Sequence, residues 1–290
     1  MSIYHFLNRQ MISVGDWATH QEGVQYLVDK AIKAMPFNRS AMILGAGNCR
    51  DIPLDIVTAH FDSVILVDVD DETLQHVASK FSNISRISYD LSGLHAWINT
   101  LPTLSSSTSE DIAAAETAWE QYAIPPLPTS HPLTPWMGRC DLVISIGVAT
   151  QLIRPVLSSK FGSPQSSEIA PWPDIQFGLV RKHYQLIEQL LHPQGIGILG
   201  TEIMTSEWIP NHQLEAYADM VYNAPIDIVK AMKTFPKSFI KIGAALYLEY
   251  LKQQPGGIVV QWPWRFDWDR LYLMAGCLVN PAQKTGETLP

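Results

Sequence analysis

Acidic residues and glycines stand at the ends of three consecutive apolar segments, in positions suited to binding a nucleoside. Gly45 and Gly47 lie in the turn that closes the apolar run 41–46, and Asp68 and Asp90 close the two apolar runs that follow. Glycine lets the backbone approach a ligand closely. One carboxylate can accept hydrogen bonds from both hydroxyls of a ribose, and a second can accept from the amino group of adenine. The spacing predicts a nucleoside site at the carboxyl edge of a parallel sheet.

The residue at position 50 bears on which nucleoside cofactor this site would take. A dinucleotide fingerprint requires a third glycine, which allows the helix to pack closely on the strand below the pyrophosphate. Arg50 stands at the corresponding position here. S-adenosylmethionine carries no phosphate and makes no such demand, so the turn favours it over a dinucleotide.

The stretch from Ile43 to Asp90 resembles the cofactor half of class I S-adenosylmethionine-dependent methyltransferases. Gly45 and Gly47 match the first two glycines of their first motif, whereas Cys49 stands where a third is common. Ile43 stands where the family commonly has an acid. The resemblance implies that S-adenosyl-L-methionine is the cofactor and that the methyl group is transferred by in-line displacement.

The resemblance also implies which residues line the cofactor site. Asp68 matches the ribose-binding acid and Asp90 the adenine-side acid, while the segment 141–148 is similar to the strand that flanks the transferred methyl group. Simpler roles stay open: Asp68 as a helix cap, Asp90 as a turn residue, and Ser145 as a small residue tolerated at a strand end. The expected cofactor contacts are Gly45, Ala46, Gly47, Asn48, Asp68, Val69, Asp90, Leu91, Ser145 and Ile146.

Alternating apolar runs and amphipathic segments predict the elements that position these residues. Predicted strands at 41–46, 63–69, 84–90, 140–148 and 195–202 alternate with helical periodicity, clearest at 22–35, 71–81 and about 176–191. Two further strands around the connection RFDWD read as an antiparallel hairpin. We expect an α/β, doubly wound, mostly parallel seven-stranded sheet with an antiparallel terminal strand.

Three segments lie outside this alternation in what we expect to be a single domain over residues 1–290. Residues 1–38 form an N-terminal helical segment, and about 99–138 form a Pro- and Ser-rich insertion that is either a solvated surface loop or a flap over the site. We expect a helical cap over residues 203–256, approximately, between strands 5 and 6. Because the fifth strand exits at the carboxyl edge, this cap would wall the acceptor side.

Composition limits the class of protein and its partners. The chain has 290 residues, 47% hydrophobic and 17% charged, with a formal net charge of −8. The acidic balance argues against nucleic acid as the partner and favours a small-molecule or peptide acceptor. No apolar run is long enough to cross a bilayer, and no signal peptide is evident, so we expect a soluble cytoplasmic protein.

The catalytic groups are less defined than the cofactor site. His212 is a candidate general base, and no cysteine or histidine spacing indicates a metal. Two alternatives to an active methyltransferase stay open. One is an NAD(P)-dependent oxidoreductase with a Rossmann fold, and the other is a non-catalytic partner subunit that binds S-adenosylmethionine.

Overall fold

The computed structural model describes residues 17–93, 131–152, 172–207, 209, 211–227, 230, 259–267 and 270–280. The strands are β1 Ser40–Leu44, β2 Ser63–Asp68, β3 Ile84–Ser88, β4 Cys140–Ile146, β5 Leu191–Thr205, β6 Val259–Arg265 and β7 Leu271–Val279. The helices are α1 Ala18–Ala34, α2 Leu54–His60, α3 Asp71–Ala78, α4 Val148–Gln151, α5 Trp172–Leu190 and α6 Leu214–Tyr222. Short 3₁₀ turns lie at Thr134–Trp136 and Asn211–Gln213.

All seven strands form one sheet in the order β3-β2-β1-β4-β5-β7-β6. Strands β1 to β5 pair in parallel, whereas β7 is antiparallel to both of its neighbours, β5 and β6. The predicted seven-stranded sheet with one antiparallel strand is therefore confirmed. The strand order changes direction between β1 and β4, and open α/β sheets bind ligands in the crevice beyond the carboxyl ends of strands at such a switch point.

Helices cover both faces of the sheet, so the inner strands are buried on both sides. Strand β1 is buried at every position. Met42 and Leu44 face the layer that contains α5 and α6, whereas Ala41 and Ile43 face the layer that contains α1, α2 and α3. Burial on both faces explains why the parallel strands read as continuous apolar runs in the sequence.

The first turn of α1 packs on strand β6 through aromatic side chains. Trp262 Nε1 in β6 donates to His20 Nδ1 at 3.1 Å. Burial lowers the pKa of His20 to about 3, so the ring is neutral and can accept this bond. The rings of His20 and Trp264 stack with centroids 4.0 Å apart, and Trp17 meets Trp264 edge to face. Helix α1 is thereby fixed to the terminal hairpin.

Strand β5 is longer than the sequence pattern indicated. It continues through Thr205, and Thr205 pairs with Tyr272 of β7, so residues 203–205 belong to the sheet and the predicted cap begins later. Of the remaining predicted cap, the structure describes helix α6 and its flanking turns. Residues 228–229 and 231–258 lie outside the described residues, as do residues 94–130 of the predicted insertion and 1–16 of the N-terminal segment. The cap and flap therefore stay predictions.

None of the helices in the described part of the chain is both long enough and apolar enough to cross a lipid bilayer.

Candidate functional site

The turn after β1 forms the floor of the switch-point crevice. Gly45, Gly47 and Cys49 all have positive φ, at 65°, 47° and 54°. A Cβ on Gly45 would overlap Cγ2 of Val148, at the start of α4, so glycine is required there for steric as well as conformational reasons. Ala46 N donates to the carbonyl of Val67 at 3.0 Å, which holds the turn against the end of β2.

Asp68 joins this turn to the end of β2. Its Oδ2 accepts from Gly47 N at 2.9 Å, and its Oδ1 accepts from Asp70 N at 3.0 Å. Burial raises the pKa of Asp68, although the backbone N–H groups oppose that shift. The cap of α3 is Asp70, whose side chain accepts from Thr73 N. The helix-capping role considered for Asp68 thus belongs to Asp70, and the carboxylate of Asp68 instead ties the glycine turn to the end of β2.

Asp90 follows β3 and organises the turn after it. Its Oδ1 accepts from both the backbone N–H and the hydroxyl of Ser92, at 2.9 and 2.6 Å. Tyr89 N donates to the carbonyl of Asp68 at 2.8 Å, so the two acids lie on adjacent strand ends. Leu91 is partly buried and packs on the core. Asp90 therefore stabilises the turn after β3, and its contact with adenine stays a prediction.

The structure places Ser145 inside the core. Ser145 is 3% exposed, and its hydroxyl lies 2.7 Å from Nε2 of His183 on α5. Burial lowers the pKa of His183 to about 4, which keeps this imidazole neutral. Ile146 is also buried, at the end of β4. A cofactor contact at this strand end is more accessible to Gly147, which has a positive φ and follows Ile146 directly.

Glu202 of β5 brings a buried carboxylate to the same crevice, and the sequence argument did not single it out. It is 4% exposed, and its Oε2 accepts from the hydroxyl of Thr150 at 2.8 Å. A Cβ built on Gly147 would lie 3.9 Å from Glu202 Oε1. The signal in the sequence was an acid placed inside an otherwise apolar strand, because such a residue is rarely buried without a specific role.

Asp51 lies just beyond the glycine turn, close enough to Glu202 for their charges to interact. Burial, together with the negative charge of Glu202, raises the pKa of Asp51 to about 6. Burial also raises the pKa of the Cys49 thiol, and the carboxylates of Asp51 and Asp68 add to that shift. Three carboxylates, those of Asp51, Asp68 and Glu202, therefore lie near the crevice floor in a partly dehydrated environment, which favours a cationic ligand over an anionic one.

Asn48 and Val69 complete the predicted set on this edge. Asn48 Oδ1 accepts from Arg50 N at 3.1 Å. Asn48 also lines a groove of about 470 Å³ outside the crevice, whose other lining residues are Gln21, Gln25, Ile52, Pro53, Leu54, Asp55, Val77, Lys80 and Phe81. Val69 is partly buried directly after Asp68. The roles of Asn48 and Val69 in cofactor binding stay predictions.

Arg50 packs on the start of α1. Its guanidinium lies over the ring of Trp17, 4.5 Å from the centroid. Its carbonyl accepts from Gln21 Nε2 at 2.7 Å, so the exit of the glycine turn is held by the first turn of α1. This explains why an arginine is tolerated where a dinucleotide-binding turn needs glycine.

The candidate base His212 is exposed in the 3₁₀ turn before α6, with Nε2 lying 3.2 Å from Gln213 Nε2. The structure thus brings the two strand-end acids and the glycine turn together, and among the described residues no hydrogen bond links His212 to them. In the described ranges, no group of three or more His, Cys, Asp or Glu side chains could hold a metal ion.

The strand order and the antiparallel β7 decide the fold class. The fold is consistent with that of class I methyltransferases. Solved structures with a similar fold include the N-methyltransferase NodS from Bradyrhizobium japonicum in complex with S-adenosyl-L-homocysteine, at 12% identity and a TM-score of 0.46 over 97% of this chain and 100% of that one. Another is a SAM-dependent methyltransferase from Leishmania major, at 13% identity and a TM-score of 0.41 over 90% of this chain and 73% of that one. No protein-family profile matches the chain, and no curated protein does.

Proposed function

We propose that this protein transfers a methyl group from S-adenosyl-L-methionine to a small-molecule or peptide acceptor by in-line displacement. The observation that carries the proposal is the set of carboxylates at the switch point, where Asp68 accepts from Gly47 N and Asp51 lies close enough to Glu202 for their charges to interact. S-adenosylmethionine brings a sulfonium and an ammonium group, and both are cations that such a crevice attracts.

The same charges disfavour the alternative of a dinucleotide cofactor. A pyrophosphate placed on this turn would lie beside carboxylates rather than beside the free N–H groups of a helix N-terminus. One of the N–H groups in the turn, that of Gly47, already donates to Asp68. Charge and hydrogen bonding therefore both favour a cationic nucleoside over NAD or NADP.

The residues of the site fit the parts of S-adenosylmethionine. The Asp68 carboxylate retains lone pairs that can accept from both ribose hydroxyls, because each oxygen has more than one acceptor direction. Gly45 and Gly47 permit close approach of the sugar and the amino-acid chain. We expect Glu202 and Asp51 to hold the ammonium group, in place of the acid that the family commonly has at the position of Ile43.

The chemical step makes modest demands on the protein. The cofactor, when bound, supplies an already activated methyl group, so the residues of the crevice mainly fix its orientation and exclude water. A general base is needed only if the acceptor carries a proton that must leave early. His212 remains the candidate for that role, and the predicted cap over the acceptor side would form the rest of the pocket.

Cofactor binding can be tested by calorimetry on the folded protein with S-adenosylmethionine, S-adenosylhomocysteine, NAD and NADP. We expect micromolar or tighter binding of the first two, together with a rise in melting temperature, because a ligand that binds only the native state stabilises it. No heat from either adenosyl ligand, or tighter binding of a dinucleotide, would overturn the proposal.

Turnover needs a separate test, because a non-catalytic subunit could also bind the cofactor. S-adenosylmethionine with an isotope-labelled methyl group can be incubated with the protein and fractionated metabolite and peptide pools. Label that appears in a low-molecular-weight or peptide fraction, and is lost with Asp68→Ala, supports an enzyme. Tight cofactor binding without any label transfer would support the non-catalytic subunit.

A further inference from the structure

His131, just before the 3₁₀ turn that leads to β4, presents one fixed hydrogen-bond donor. Its side chain is 3% exposed, and its Nδ1 accepts from Leu133 N at 3.0 Å. Burial and the nearby charge of Lys182 lower the pKa of His131, so the ring is neutral at physiological pH. A neutral imidazole that accepts at Nδ1 carries its proton on Nε2.

That Nε2–H group lacks a hydrogen-bond partner within the described residues. Buried donors in native proteins are almost always paired, and one that is not calls for a specific explanation. A ligand that carries an acceptor provides such an explanation, because the donor would be satisfied in the complex.

The position of His131 identifies which part of a ligand it would meet. Its ring packs edge to face on that of Tyr89, with centroids 4.2 Å apart. Tyr89 directly precedes Asp90, and its N–H donates to the carbonyl of Asp68. Lys182 on α5 interacts electrostatically with both His131 and Asp90. His131 therefore stands beside the strand end of Asp90, the acid predicted to lie on the adenine side of the cofactor site.

We propose that His131 Nε2–H donates to an acceptor ring nitrogen of the adenine of S-adenosylmethionine, and that it contributes to selection of this base. The inference rests on the proposed function. Adenine presents an amino donor and ring-nitrogen acceptors, so its recognition requires an acceptor and a donor from the protein. Asp90 supplies the first and His131 the second. A site that pairs both groups rejects a base with the reversed pattern, because buried polar groups are then left unpaired.

Deaza analogues of S-adenosylhomocysteine test this on the unmodified protein. The 1-deaza, 3-deaza and 7-deaza compounds each replace one ring nitrogen with a C–H group and leave the amino group in place. We expect one of the three to bind about five- to thirtyfold more weakly than S-adenosylhomocysteine, which is the range for loss of one buried hydrogen bond. If all three bind within twofold of the parent, the proposal is wrong.

The variants His131→Phe and His131→Gln assign the effect to this side chain. Phe keeps the ring contact with Tyr89 but has no donor, whereas Gln can place an amide N–H near the position of Nε2. The deficit, which is the loss of affinity of the sensitive analogue relative to S-adenosylhomocysteine, should disappear in His131→Phe and persist at least in part in His131→Gln. The affinities of the other two analogues relative to S-adenosylhomocysteine should be the same in the wild type and both variants. A deficit that is unchanged in His131→Phe would assign the donor to another group and overturn the proposal.

The outcome for the parent ligand separates this inference from the proposed function. If folded wild-type protein does not bind S-adenosylhomocysteine at all, the proposed function fails and the inference falls with it. If the parent ligand binds but shows no coupling to His131, only the inference fails, and the Nε2–H group is satisfied by water.

Discussion

Gly47 donates its backbone N–H to the Asp68 carboxylate at 2.9 Å, so the turn after the first strand is tied to the end of the second. The bond fixes one oxygen of the carboxylate, which keeps further lone pairs that can accept from a ligand. It also means that Asp68 has a structural role in the unliganded protein, which must be separated from a binding role by experiment.

Replacing Asp68 with alanine should weaken binding of S-adenosylhomocysteine about tenfold to several hundredfold. The carboxylate would form two charge-assisted hydrogen bonds with ribose, each contributing about 1.5–3 kcal/mol, and these contributions are not fully additive. Calorimetry gives the affinity, and circular dichroism checks that the fold is retained. The control is Asp62→Ala, an exposed acid just before the same strand. An unchanged dissociation constant for Asp68→Ala would restrict Asp68 to tying the turn.

Affinity for S-adenosylhomocysteine should rise about three- to tenfold between pH 5 and pH 7. Asp51 has a pKa of about 6 because of burial and the charge of Glu202, so it becomes ionised over this range. The ammonium of the ligand keeps its proton throughout, and its attraction to the crevice grows as Asp51 loses its own. Calorimetry across this pH range would measure the effect.

The variant Asp51→Asn should bind with an affinity that varies little over the same range. Glu202, Asp68 and the Cys49 thiol are the other titratable groups near Asp51. A variant in which the pH dependence persists unchanged would assign the titration to one of those groups instead.

Substitution of Gly45 by alanine should lower the free energy of unfolding by more than the same change at Gly93. Both glycines have φ near 65°, which disfavours a side chain by about 1–3 kcal/mol. A Cβ at position 45 would in addition overlap Val148, whereas nothing lies within 4 Å of one at position 93. Urea unfolding of the two variants isolates the steric part, and Val148→Ala combined with Gly45→Ala should recover some of it. Equal losses at both positions would contradict the close packing of the turn on α4.

Ser145→Ala should destabilise the protein by about 1–3 kcal/mol, because it removes the partner of the buried imidazole of His183. Chemical denaturation measures the loss, with Ser63→Ala at the start of β2 as the comparison. Binding of S-adenosylhomocysteine measured on the same variant separates two roles for Ser145. A change within twofold indicates a core residue, and a much larger loss would restore the cofactor contact that the sequence predicts.

Strands β1, β2 and β4 were predictable because each is a short apolar run buried along most of its length, and helices α2 and α3 separate β1, β2 and β3. The same local pattern placed Gly45, Gly47, Asp68 and Asp90 at one edge of the sheet. The end of β5 was not predictable in this way. Residues 203–205 remain in the sheet because they pair with β7, about seventy residues later, and a local pattern carries no information about such a partner.

The same limit applies to Glu202 and His131. The proximity of Glu202 to Asp51 depends on the order of β1, β4 and β5 in the sheet, which brings together residues from both halves of the chain. The contact of His131 with Tyr89 joins two segments on either side of the Pro- and Ser-rich insertion. Both residues are polar and buried, and burial of that kind becomes visible only once the tertiary packing is known.

The anchoring of α1 also has a consequence for biosynthesis. His20 of this helix and its partner Trp262 are 242 residues apart in the chain, so the ribosome makes α1 long before it makes β6. The apolar face formed by Val24, Leu27 and Val28 is therefore covered completely only after the β6–β7 hairpin has been made. Gln21 and Trp17 contact Arg50, so the exit of the glycine turn is held in its final position only when α1 has packed on this hairpin. A nascent chain thus completes the packing around the glycine turn only after the β6–β7 hairpin has been made.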